Sequence, residues 1–200
     1  DLLARLDAPP LPALANLFDC DADLFCTFPE LDHYGARRDT EYIGPQFALG
    51  RGEPVDWPEG ERPRLFVYLK AGYNGLEPVL AALRDCGAAV VAHVPGASRD
   101  LLRRMASPTL RFSQAPVDIE AARTQCDLAI CHGGHGTVSA LLQAGKPLVV
   151  LPITVEQMMT ARRLELLGVA RAVLPGSAGA VSSVIAAALA DQALRAAARA

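Results

Sequence analysis

Between the apolar run DLAI and the helical pattern VSALLQAG, the chain carries CHGGHGT, Cys131 to Thr137. One thiol, two imidazoles and three glycines in seven residues could do three kinds of chemistry. Cys131, His132 and His135 could ligate a metal. Gly133, Gly134 and Gly136 could cradle a phosphate, because glycines allow positive φ and let a ligand approach the backbone. The same glycines could also make only a tight turn from a strand into a helix. The metal reading is the weakest. Adjacent Cys131 and His132 leave a strand on opposite sides, and no second Cys/His cluster completes a zinc set. A dinucleotide fingerprint nearly fits Gly134, Gly136 and Ser139, but it falls after the fourth strand instead of the first.

A second stretch favours a ligand over a bare turn. PITVEQMMTARR follows the next strand and brings Glu156 and Gln157 to a neighbouring helix start. A carboxylate and an amide there can bond sugar hydroxyls. For Gln157 a structural role competes, since Thr154-x-x-Gln157 is also a capping-box pattern. Glu156 has no such alternative.

Elements of the right kind surround these residues. LFVYLK (65–70), AAVVAHV (88–94), TLRFSQ (109–114), DLAICH (127–132), PLVVLP (147–152) and ARAVLP (170–175) read as strands. Helical patterns lie between them. The first covers 76–87, with Asn74 and Glu77 as a capping pair and Gly87 as its stop. Ser98 and Asp118 cap the next two. Helices follow over 136–145 and 154–168, and the Ala-rich end reads as one continuous helix. Strands this apolar, alternating with helices, imply right-handed crossovers in a parallel sheet. The fold class is α/β: a Rossmann-like, doubly wound parallel sheet of about six strands with helices on both faces. Residues 1 to about 45 do not form a self-contained unit. Gly44 to Arg64, rich in Gly, Pro and charge, reads as a domain boundary.

Composition narrows the function classes. A net charge of −3 and 6% aromatic residues give neither an electrostatic footprint nor a stacking platform for nucleic acid. Five cysteines, odd in number and without Cys-x-x-Cys, fit reduced thiols in a cytoplasmic protein. No apolar run reaches the ~20 residues of a membrane span.

HGGHGT followed by ALLQAGKPLVVLPITVEQMMTARRLELLG resembles the donor-binding half of GT-B nucleotide-sugar glycosyltransferases of the bacterial macrolide and UDP-glycosyltransferase type. The match runs through His132 to Thr137, Gly145, Pro147, Pro152, Glu156, Gln157 and Gly168, with Thr160-Ala161 where the family has Asn-Ala. FPELDHYGARRDTEYIGP resembles the family's passage from acceptor to donor domain. The resemblance implies that 1–61 are the tail of the acceptor domain and the linker, and that 62–200 form the donor-binding domain. It implies a diphosphate held by His132, Gly133, Gly134, Gly136 and Thr137, and donor-sugar hydroxyls bound by Glu156 and Gln157. The base and ribose would lie against Ala115 and Val117, with Gly72 and Tyr73 as a further phosphate loop. The implied reaction is inverting transfer from a UDP- or dTDP-sugar to an acceptor hydroxyl. The acceptor, a small molecule or a lipid-linked one, would be held by the other domain. No metal or other cofactor is implied. The family's catalytic base belongs to the acceptor domain and has no counterpart in this chain, so the chain by itself is expected to be inactive. His93 reads as structural at the end of an inner strand. The same architecture also serves nucleotide-sugar epimerases, and a non-catalytic binding module remains an alternative.

Overall fold

The computed structural model describes residues 2–35, 37, 38, 40–46, 52–60 and 62–200. A four-residue helix, α1 (Leu2–Arg5), starts the chain, and short 3-10 turns follow at Leu14–Phe18 and Pro29–Leu31. From Arg64 the alternation is regular: β1 (Arg64–Tyr68), α2 (Leu76–Asp85), β2 (Ala89–His93), α3 (Arg99–Met105), β3 (Leu110–Ser113) and α4 (Ile119–Gln125). Then come β4 (Leu128–Cys131), α5 (His135–Gln143), β5 (Leu148–Val150), α6 (Val155–Leu166), β6 (Ala170–Ala172), α7 (Val181–Ala190) and α8 (Gln192–Arg199).

All neighbouring strands are parallel, in the order β3-β2-β1-β4-β5-β6. The sheet runs outward in both directions from the β1–β4 pair. That reversal opens a crevice beyond the carboxyl ends of those two strands, where this architecture binds ligands. Period-two alternation splits the central strands between two cores. Leu65, Val67, Val90 and Ile130 join the residues of α2 and α7 on one face, whereas Phe66, Val91, Ala129 and Cys131 join those of α5 and α6 on the other. The inner strands β2, β4 and β5 are buried almost throughout, and only β3 and β6, at the edges, surface along their length.

Ser98 and Asp118 cap α3 and α4 through their side chains, as the sequence predicts. Two expectations fail. Asn74 and Glu77 do not cap α2; its N-cap is Gly75, in the left-handed region at φ 91°. A Cβ at Gly75 would stand 2.7 Å from that of Ala178, so only glycine brings this turn against the far end of the chain. The terminal helix is also not continuous. Asp191 accepts from the Leu194 N–H and starts α8 at 68° to the preceding helical segment, while its carboxylate pairs with Arg171 at 2.6 Å. A side chain that satisfies the backbone locally competes with helix continuation. Among the described residues no single helix is long and apolar enough to cross a membrane.

The N-terminal segment lies on the sheet domain. Leu31 is buried in the core beside α6, and Arg163 donates to the Glu30 carbonyl at 2.6 Å. Further on, Glu53 pairs with the strand-like stretch after β3: the Glu53 N–H donates to the Pro116 carbonyl, and the Asp118 N–H donates to the Glu53 carbonyl.

Candidate functional site

CHGGHGT occupies the β1–β4 crevice. Cys131 ends β4, and Gly134, with extended backbone, is the N-cap of α5. The first intrahelical bond runs from the Val138 N–H to the Gly134 carbonyl at 3.0 Å. The amides of His135, Gly136 and Thr137 precede it and have no acceptor within the helix. They point out of the positive end of the helix macrodipole, equivalent to ~0.5 of a charge. This is an anion cradle. Of its glycines only Gly133 uses the left-handed region, at φ 87°; Gly134 sits at −63° and Gly136 is helical. Gly133 also permits close packing, since a Cβ there would stand 3.0 Å from Val150 and 3.4 Å from the Gln157 carbonyl. The starts of α5 and α6 are thereby brought side by side.

His132 does not offer an imidazole N–H to this cradle. It is buried, and its Nε2 accepts from the Lys70 N–H at 2.7 Å. Nδ1 lies 2.6 Å from the Leu151 carbonyl, which can only accept, so Nδ1 carries the proton. Both ring nitrogens are spent on backbone, and the neutral ring ties the turn after β1 to the end of β5. Burial lowers its pKa below 6.5 against the opposing pull of the Leu151 bond. The expectation of a phosphate-bonding His132 is corrected: the ring positions the loop. The same engagement removes it as a metal ligand, and burial pushes the Cys131 thiol up to about 11.

Two further expectations change. Tyr73 does not face a phosphate: it is 5% exposed, in the core beside α2, with its ring 5.7 Å from that of His132. Of the two, Gly72 is exposed. Gln157 forms the capping box, its side-chain carbonyl accepting from the Ile153 and Thr154 N–H groups at 2.8 and 3.3 Å. Its amide NH2 is what remains to reach a ligand.

Clefts open on either side of the α5 start. One, of about 320 Å3, lies between the N-terminal segment and α5–α6, and its lining includes Asp32, Arg37, His135, Glu156 and Thr160. Glu156 is exposed on its wall. His135 reaches across to the Cys26 carbonyl at 3.0 Å. Asp32 is buried; the Tyr42 hydroxyl, the Tyr34 N–H and Arg37 together hold its carboxyl below the usual value, against burial, which raises it.

The other cleft, about 200 Å3, is lined by Phe66, Tyr68, His93, Val117, Ile119 and Thr137, with Pro116 at its rim. Val117 and Thr137, expected at opposite ends of one nucleotide, do meet here. Ala115 does not line it, and the Ser113 hydroxyl donates to the Ala115 carbonyl at 2.5 Å. His93, read from the sequence as structural, lines this cleft. The signal for it was its place at the carboxyl end of a strand next to β1.

Residues 106–195 match the family model described as the glycosyltransferase family 28 C-terminal domain. The chain is 30% identical over 195 residues to a PGL/p-HBAD biosynthesis glycosyltransferase of Mycobacterium tuberculosis (strain ATCC 25177 / H37Ra), covering 91% of this chain and 45% of that protein. It is 30% identical over 137 residues to the NDP-glycosyltransferase YjiC of Bacillus subtilis (strain 168), covering 64% of this chain and 33% of the relative. The chain thus spans less than half the length of these relatives. Among solved structures, the spinosyn rhamnosyltransferase SpnG superposes with a TM-score of 0.71 at 24% identity, over 89% of this chain and 50% of that one. The glycosyltransferase SnogD from Streptomyces nogalater gives 0.66 at 27% identity, over 88% and 50%. Residues 106–195 thus match a glycosyltransferase family 28 C-terminal domain, in a chain whose fold is that of the C-terminal half of a GT-B glycosyltransferase.

Proposed function

We propose that residues 62–200 bind the donor of an inverting glycosyltransferase, with residues 1–61 as the tail of its acceptor domain and the linker. The donor is a UDP- or dTDP-sugar. The observation that carries this reading is the anion cradle at the start of α5, between a small apolar cleft and a larger polar one. Such a sequence of walls fits a planar base, a diphosphate and a sugar in that order.

In this reading the amides of His135, Gly136 and Thr137 hold the diphosphate, with Gly133 and Gly134 shaping the approach and the Thr137 hydroxyl adding a donor. Glu156 and the Gln157 amide bond sugar hydroxyls. An acceptor hydroxyl, small-molecule or lipid-linked, attacks the anomeric carbon from the face opposite the leaving group while a base of the acceptor domain takes its proton. The nucleoside diphosphate leaves toward the cradle, whose fixed donors and helix dipole stabilise the developing charge without a metal. SpnG has been solved with thymidine diphosphate, which supports a thymidine or uridine donor here. The free thiols fit the reducing cytoplasm.

Calorimetric titration of the chain with UDP and dTDP tests this, alongside the variant Gly134→Asp. At φ −63° and with nothing within 4 Å of a new Cβ, Asp fits this position and is a preferred N-cap. It fills the cradle with a carboxylate. The chain should bind a nucleoside diphosphate, and the variant should lose roughly a hundredfold in affinity while melting no lower, a loss of about 3 kcal/mol. Equal binding by both proteins would refute the cradle.

A further inference from the structure

The small cleft holds one polar ring whose hydrogen-bonding sense is fixed. His93 Nδ1 lies 3.3 Å from the Ser113 carbonyl, at the register position where β2 meets the end of β3. A carbonyl cannot donate, so Nδ1 carries the hydrogen, and in the neutral ring Nε2 is a bare acceptor. The Tyr68 ring stacks on the imidazole, with centroids 5.7 Å apart and planes 16° apart, which fixes its orientation. Most of the remaining lining is apolar: Phe66, Val117 and Ile119. At about 200 Å3 the cleft is below the ~300–1,000 Å3 of whole-ligand pockets and suits a single planar ring better than a hydroxylated sugar. The loop after β3 offers little competition, because the Ala115 and Pro116 carbonyls already accept from Ser113 and Glu53.

We propose that His93 is a specificity-determining residue whose Nε2 accepts the N3–H of a uracil or thymine ring lying in this cleft. The inference rests on the nucleoside diphosphate reading above. Cytosine presents an unprotonated N3 at the same edge. Two facing acceptors leave a desolvated polar pair unmatched, and such mismatches are where binding sites discriminate most sharply.

The test is calorimetric titration of the full chain and of His93→Phe with UDP, CDP and UDP methylated at N3 of the base. Phe keeps a ring against Tyr68 and removes the acceptor. The wild-type chain should prefer UDP over both other ligands by roughly tenfold to a hundredfold. In His93→Phe the three affinities should converge. Should the variant melt too low to titrate, the wild-type ratio of UDP to its N3-methyl form decides. Equal wild-type binding of UDP and CDP, or discrimination unchanged in the variant, would overturn the role of His93. A wild type indifferent to N3 methylation whose UDP binding is lost in the variant would overturn it too, by placing the ring on ribose. If the wild type binds no nucleoside diphosphate, the nucleotide reading itself falls, and this role falls with it.

Discussion

The two clefts beside the α5 start share a wall and differ in almost everything else. The smaller is built entirely from the sheet domain and the stretch after β3, with apolar and aromatic walls and one oriented imidazole. The larger is built mostly from residues 24–37 and carries carboxylate, guanidinium and imidazole groups. A site that recognises a constant group can be made by one rigid domain. On the proposed reading, the cleft that must admit a varying sugar is closed by the N-terminal segment. Between them stands His132, which ties β1 to β5 and so fixes the common wall.

The largest effect should come from that common wall. His132→Ala strands the part-buried Lys70 N–H and the buried Leu151 carbonyl, at about 1–3 kcal/mol for each unpaired group. We expect denaturant unfolding to show a loss on the order of 3–5 kcal/mol. A loss confined to nucleotide affinity, with stability unchanged, would return His132 to the role of phosphate ligand.

The same ring sets a pH dependence. Its folded pKa lies below 6.5, chiefly through burial. The unfolded chain therefore takes up a proton first as pH falls. The stability contributed by the neutral ring is full above 6.5 and is lost as pH drops through the depressed folded value. Unfolding curves of wild type and His132→Asn across that window should converge toward acid.

A smaller effect separates the two clefts from each other. Glu156→Gln should weaken binding of a UDP-hexose roughly tenfold and leave UDP itself unchanged. A parallel loss for both ligands would mean that Glu156 senses the diphosphate and that the polar cleft is not the sugar side.

The smallest effect concerns thiols. Cys20 and Cys26 are exposed, and Cys26 lines the polar cleft, whereas burial pushes Cys126 and Cys131 up to about 11. Iodoacetamide near neutral pH should label the first pair and spare the second. Nucleotide should slow neither reaction, and a UDP-sugar should slow Cys26.

The alternation of apolar runs with capped helices was enough to read the sheet, because burial on both faces imprints itself on every residue of an inner strand. Ser98 and Asp118 were legible as caps since a cap is a local matter. Gly75 was not, because its requirement comes from Ala178, about a hundred residues away in sequence. Asp191 looks like any helix-surface carboxylate until Arg171 is placed beside it. For the site, the cradle was visible as a glycine cluster at a strand end, and Glu156 as a carboxylate without a structural duty. The duties of His132, Gln157 and Tyr73 depend on what the backbone has already satisfied, and spacing does not record that. His93 is brought to the small cleft by strand register, which places it between Tyr68 and Ser113.

On the proposed reading a nucleoside diphosphate sits with its phosphates on the first turn of α5. The most direct measurement is an amide chemical-shift map of the isotope-labelled chain titrated with UDP. The largest shifts should fall on Gly134, His135, Gly136 and Thr137, with a second set around His93 and Val117. Saturable shifts that leave these amides still and gather instead near Arg99 and Arg103, on the far side of the β3 edge, would contradict it.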